Sequence, residues 1–301
     1  MKNCDPGEKQ QKALPVKVYR EFHKIASSSP STTLDLDRAV AHLLTLAFFF
    51  CMRSCEYSDV QGERRTKLLC VRNLRFFVKN QDITRHIAHL HLATAVTITF
   101  EFQKRDIRDD IISHQRSGDT QEGKEMCPVL AAAAIVQRLS TYSHPYPCFG
   151  DVPINLVWSG DGYYTIPSSL ILQRIRSVVD LIGADTLGFT SADVGTHSNR
   201  SGGAMGMFLA GTPVYTIMLM GRWSSDAFMR YIRKQVLQLS HGISTKMLTH
   251  EEFYTVPEFA HSSADGNLSN RGSITLASSQ NLSGSHANMS RGLHPAFHLN
   301  H

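Results

Sequence analysis

The stretch Ala39–Phe50 constrains the fold more than any other. Ala39, Val40, Leu43, Leu44, Ala47 and Phe50 recur at helical spacing, and Leu43–Cys51 is almost entirely apolar. A helix that is hydrophobic around most of its circumference has to be buried. This one falls short of the roughly 18 to 20 apolar residues that span a bilayer. It is therefore expected at the centre of a globular fold, capped by Asp35 or Asp37. The polar N-terminus lacks a signal-peptide core.

Helical spacing also marks Val16–Ile25, Ala131–Leu139 behind Pro128, Ser168–Ile182 behind Pro167, Thr196–Ala210, Val214–Met220 and Ala227–Leu239. Leu68–Val71 and Arg75–Val78 read as short strands. Ala95–Phe102 alternates, with Val96, Ile98, Phe100 and Phe102 on one face. A polar turn at Gln103–Asp110 leads into Ile111–His114, which predicts a β-hairpin with Lys104 near its tip. The expected fold class is mainly α with a small antiparallel β-sheet (α+β).

Three regions follow. Residues 1–34 form an N-terminal segment that ends in the linker Ser27-Ser28-Ser29-Pro30, residues 35–254 form the folded domain, and the Ser/Asn/His-rich tail 255–301 reads as disordered. Hydrophobic residues at 42% and charged residues at 19% suit a globular chain, and a net charge of +5 admits nucleic acid as a partner without demanding it. Six cysteines without a CxxC pair favour a reduced, intracellular setting.

The polar residues that could carry chemistry are ambiguous one by one. His197 and Arg200 stand at i and i+3, share a helix face and could address one anion near a helix N-terminus. They could equally be a solvated pair. Arg53 and Glu56 repeat that spacing at the end of the apolar helix, as an anion ligand with its acid neighbour or as a surface salt bridge. Tyr231 lies beside the apolar stripe Phe228, Ile232, Val236 and Leu239, where a tyrosine is usually a packing residue. Trp223 reads by default as core, and Lys104 as a solvated lysine.

Taken in order, these segments resemble the tyrosine recombinase (phage integrase-like) family, with integrase-like proteins of eukaryotic mobile elements nearest in look. The resemblance covers roughly residues 14–250. It rests on Arg53-Ser54-Cys55-Glu56 after an apolar helix, Lys104 on a hairpin, and His197-Ser198-Asn199-Arg200 opening a Gly/Ala-rich helix. The last part is Gly221-Arg222-Trp223, with Tyr231 ten positions after Gly221. Two departures stand out. Arg222 occupies the position after Gly221 where the family usually has His or Trp, and Trp223 comes one step later. Arg53 and His197 are also further apart than usual, a surplus that fits Gly118–Gly162 as inserted loops. The helical DNA-clamping domain that usually precedes the catalytic one has no room in residues 1–34.

The resemblance implies a DNA strand-breaking and rejoining enzyme. Tyr231 would be the nucleophile of a 3′-phosphotyrosyl intermediate, and Arg53 and Arg200 would neutralise the pentavalent phosphate by bidentate hydrogen bonds. His197 would accept or relay the tyrosine proton, and Lys104 would protonate the leaving 5′ oxygen. Trp223 or Arg222 would buttress the site, and Glu56 would orient it. No cofactor and no metal are expected. The expected partners are double-stranded DNA, held by residues such as Arg105, Arg108, Arg116, Arg230, Arg233 and Lys234, and further copies of the chain in a tetramer on two DNA sites. A nuclear or otherwise intracellular location follows, with Arg64-Arg65-Thr66-Lys67 as a short basic run. The alternative is a decayed or domesticated relative that binds DNA without cleaving it.

Overall fold

In the computed structural model, which describes residues 11–30, 33–62, 66–102, 109–118 and 126–223, the apolar run forms α2 (Leu34–Phe49) at the centre of the core. Ala39, Val40, Leu43, Leu46 and Ala47 have no exposed surface at all. Even Thr45 is buried, its hydroxyl satisfied by the Ala41 carbonyl at 3.0 Å one turn back. Asp35 and Asp37 lie in the first turn rather than at the cap, which is Thr33. There they favour the positive end of the helix dipole. Asp37 also accepts the Ser29 hydroxyl at 2.8 Å and faces Arg174 at 3.3 Å.

Four helices pack around α2 or beside it. The first, α1 (Val16–Ser28), presents Val18, Tyr19, Phe22 and Ala26 at helical spacing and packs on α2. The helix after Pro128, α4 (Pro128–Ser140), carries its proline at the first turn, where the missing N–H costs nothing. It seats Val129, Ala132, Ile135 and Leu139 in the core. Helix α5 (Ser168–Ile182) packs on α1, and α7 (Ser198–Leu209) crosses α2. That crossing depends on Gly203: a Cβ there would collide with the Phe48 carbonyl oxygen. Three shorter helices complete the α-helical set among the described residues: α3 (Ser54–Tyr57), α6 (Ala184–Leu187) and α8 (Val214–Gly221).

A four-stranded antiparallel sheet covers α4 in the order β2-β1-β3-β4, with β1 at Leu74–Val78, β2 at Gln81–Asp82, β3 at Ala95–Phe100 and β4 at Asp110–Gln115. Strand β3 alternates as the sequence predicts, with Val96, Ile98 and Phe100 buried, while Phe102 lies beyond its end. Pairing of Ile98 with Ile112 and Val96 with His114 sets the β3–β4 register. A second, two-stranded sheet joins β5 (Leu156–Trp158) and β6 (Tyr163–Thr165). The fold class is thus mainly α with small antiparallel sheets.

Two local expectations fail for physical reasons. Leu68–Val71 does not form a strand. It makes one bridge, Cys70 with Pro153, and then turns through a 3-10 helix at Val71–Asn73. The Asn73 side chain closes that turn by accepting the Cys70 N–H at 2.8 Å, while Leu69 and Val71 donate to the Glu56 and Val152 carbonyls, so the backbone pairs with several separate segments and not with one neighbouring strand. Gly118–Gly162 is not simply inserted loop, since it contains the buried helix α4 and strand β5. The hairpin tip with Lys104, the helix expected over Ala227–Leu239 and the tail 255–301 lie outside the described residues. Among the described residues, no helix is long and apolar enough to cross a membrane.

Candidate active site

The site begins where α2 ends. Cys51 adopts φ 45°, a left-handed conformation uncommon for a residue with a side chain, and the chain turns so that Arg53 becomes the N-cap of α3. The Glu56 carboxylate reaches back along that single turn. It accepts the Arg53 backbone N–H at 2.8 Å and the Arg53 Nη1 at 2.9 Å. The i, i+3 pair legible in the sequence is therefore real, but it is no surface salt bridge. Glu56 is 1% exposed, whereas Arg53 keeps a quarter of its side chain in solvent.

Helix α7 supplies the second pair. His197 is its N-cap and Arg200 lies in its first turn, directed inward. The Arg200 guanidinium is 3% exposed and donates from Nη1 to the Cys51 carbonyl and from Nη2 to the Gly221 carbonyl. One side chain thus ties the end of α2 to the end of α8. The indole of Trp223 covers it, with the guanidinium carbon 4.3 Å from the ring centroid, a cation–π contact. Gly221 makes room for that ring, because a Cβ built on it would fall inside the indole.

Arg222 is a separate device. It caps α8 in the left-handed region, at φ 57° and ψ 46°, where glycine is the usual residue. Its side chain is 1% exposed and turns away from solvent. Nη1 donates to the Phe50 carbonyl at 2.8 Å, Nη2 donates to Glu56 Oε2 at 2.7 Å, and the guanidinium lies 3.5 Å from the ring centroid of Phe100.

These charges set one another's protonation. Burial alone would raise the Glu56 carboxyl, but Arg222, then Arg53 and Arg200, outweigh it and hold the group ionised. Burial, followed by repulsion from Arg53 and Arg222, brings Arg200 down to about 9, so it remains a cation at neutral pH. His197 is lowered by partial desolvation and by the positive charges of Arg200 and Arg53, which keeps its imidazole neutral. Burial pushes the Cys51 thiol up to about 11, so it stays protonated.

The structure brings Arg53, Glu56, His197, Arg200, Arg222 and Trp223 into one neighbourhood, while Lys104 and Tyr231 lie outside the described residues. Sequence reasoning missed the carbonyls of Phe50, Cys51 and Gly221, which carry no side-chain signature. It also missed Asn199, which accepts the Tyr19 hydroxyl and fastens the first turn of α7 to α1. Its place between His197 and Arg200 was the available hint. Among the described residues, Arg53 and Arg222 bond to the Glu56 carboxylate and Arg200 acts on it through its charge, an excess of guanidinium groups suited to an anion. No group of His, Cys, Asp or Glu among them is placed to hold a metal ion.

No protein-family model matches the sequence, and neither does any curated protein sequence. Among solved structures, the chain is similar to the XerH site-specific recombinase bound to palindromic difH substrate in a post-cleavage complex. The TM-score is 0.49 at 11% identity, over 81% of this chain and 56% of that one. It is also similar to XerH bound to difH substrate in a pre-cleavage complex, with a TM-score of 0.47 at 11% identity, over 78% of this chain and 55% of that one. The chain spans a little over half the length of the recombinase in each structure.

Proposed function

We propose that this chain carries the catalytic centre of a tyrosine recombinase, which breaks and rejoins double-stranded DNA through a covalent 3′-phosphotyrosyl bond to Tyr231. The observation that carries the reading is the convergence of Arg53, His197, Arg200 and Trp223 from three separate segments of the chain. They meet at a site where positive charge exceeds negative among the described residues. Each residue alone has a bland explanation. Sequence-distant groups that meet and perturb one another do not arise from surface salt bridges.

In this reaction the Tyr231 hydroxyl oxygen attacks the phosphorus and the bond to the 5′ oxygen breaks. Arg53 and Arg200 stabilise the charge that develops on the phosphoryl oxygens. The neutral His197 takes the tyrosine proton, and Lys104 gives one to the leaving oxygen. Trp223, rather than Arg222, fills the usual His/Trp position, because its ring lies on Arg200 while Arg222 turns into the core. The bond energy stays in the phosphotyrosine, so rejoining needs no nucleotide cofactor. Assembly as a tetramer on two DNA sites and a nuclear or other intracellular location belong to the same proposal.

One observation favours the alternative, a relative that binds DNA without cutting it. Arg200 is almost fully covered and both its terminal nitrogens already donate to main-chain carbonyls, so a phosphate would have to compete for it. Covalent trapping on nicked suicide substrates, drawn from DNA flanking the gene and assayed in EDTA, separates the two. The enzyme gives an adduct with the wild-type chain and none with Tyr231→Phe. DNA binding without any adduct establishes the alternative.

A further inference from the structure

The mechanism gives Arg222 no work, yet it is among the most completely buried charges in the described chain. Its backbone sits in a conformation that costs a side-chain-bearing residue energy. Its two hydrogen bonds and its ring contact go to three different places: the end of α2 at Phe50, the acid of α3 at Glu56, and Phe100 at the end of β3. Glu56 in turn splits its two oxygens. Oε1 accepts Arg53 Nη1, and Oε2 is shared between the Arg53 backbone N–H and Arg222 Nη2.

We propose that Arg222 is a positioning residue: it fixes the Glu56 carboxylate, and through it the guanidinium of Arg53, without itself contacting the scissile phosphate. This rests on the recombinase reading, in which Arg53 is the phosphate ligand. The surroundings of the carboxylate are asymmetric. A fully buried carboxylate survives as an anion only if cations and N–H donors compensate for its lost hydration. Arg53 alone is a weak compensator, since a quarter of its side chain faces solvent. Arg222 is the largest opposing influence on Glu56, ahead of Arg53 and the more remote Arg200. Among the described residues, the other titratable groups acting on Glu56 are the Cys51 thiol and the Tyr57 phenol, both pushed upward by burial and so both neutral, while Asp110 acts on Arg222 from the start of β4. Without Arg222 the carboxyl becomes protonated at higher pH, one oxygen turns into a donor, and its grip on Arg53 weakens.

The test combines a titration that needs no activity with one that does. Infrared difference spectra between each protein and its Glu56→Gln counterpart isolate the Glu56 carboxyl. The wild-type chain should keep it ionised from about pH 5 to 8, whereas Arg222→Met should take up a proton within that window. The ratio of Arg222→Met to wild-type adduct formation should then rise with pH, by up to about tenfold per unit, as far as the new midpoint, because the ratio cancels the dependence that His197 and Tyr231 impose on both proteins. Arg222→Lys keeps the charge, and its ratio to the wild type should stay constant with pH. If Arg222→Met does not fold, the double variant Arg222→Met/Glu56→Gln should fold again, because a neutral amide needs no buried cation. Persistent ionisation of Glu56 in Arg222→Met, an equal loss of adduct at every pH, or a double variant that fails to fold while Glu56→Gln alone folds would each overturn the proposal. A wild-type chain that forms no adduct defeats the recombinase reading instead, and the infrared titration still decides whether Arg222 governs Glu56.

Discussion

Arg200 joins the ends of two helices, α2 and α8, and faces the ring of Trp223, so its loss should be felt twice. A lysine keeps the charge but cannot span the Cys51 and Gly221 carbonyls together. Arg200→Lys should lower adduct formation by about 100-fold or more, the scale of removing one preorganised charge-stabilising donor. Trp223→Phe preserves a flat ring over the guanidinium and should retain most activity, while Trp223→Ala should lose about tenfold. Single-turnover trapping of each variant measures this, and equal rates for Trp223→Ala and the wild type would remove Trp223 from the site. Which of the adjacent Arg222 and Trp223 faces Arg200 was ambiguous in the sequence. Their directions are decided by the left-handed turn at Arg222, which sends its side chain into the core. A one-dimensional reading has no access to that conformation.

The helical elements were largely legible. Ser168–Ile182 has the predicted bounds, and α2 and α4 begin within a few residues of their sequence signals. Apolar periodicity and N-terminal prolines are local properties, so local reasoning finds them. Leu68–Val71 was not legible, because its backbone partners, the Glu56 and Val152 carbonyls and the Asn73 side chain, come from separate parts of the chain. The close contact of α7 with α2 was hidden as well, although it rests on Gly203 in a visibly glycine-rich helix. Gly203→Ala should cost about 1 to 3 kcal/mol of unfolding free energy, the range for overpacking a tight site. Urea denaturation reads this directly, and an unchanged midpoint would mean that the two helices can separate without penalty.

The same elements bury histidines that shape the pH response. His42 of α2 stands opposite His23 of α1, and burial, then the charges of His23, Arg138 and Arg38, lowers it to about 3. The unfolded chain binds that proton near 6.5 and the folded chain only near 3. Its stability contribution is therefore complete above about pH 6.5 and declines as the pH falls towards 3. His114 of β4, lowered to about 4 by burial, adds to the same trend. His42→Met removes the proton uptake and breaks no hydrogen bond of Nδ1 to any described residue. Its urea midpoint should decline less between about pH 6.5 and 4 than that of the wild type. Parallel declines would show that His42 is not the group being titrated.

At the scale of the whole molecule, two buried arginines, Arg200 and Arg222, pin together the ends of α2 and α8 and the first turn of α7. A DNA partner held by arginine and lysine contacts should bind with steep salt dependence, log K falling linearly with log salt. Titrations over a range of salt test this, and a flat response would argue against backbone contacts. The central claim concerns a bond, and the most direct measurement identifies it. Wild-type protein is trapped on a nicked substrate without metal and digested with nuclease and protease, and the nucleotide-bearing peptide is sequenced by mass spectrometry. A nucleotide on Tyr231 through its 3′ phosphate is the predicted result. A nucleotide on another residue, or DNA binding that never yields a linked peptide, would contradict it.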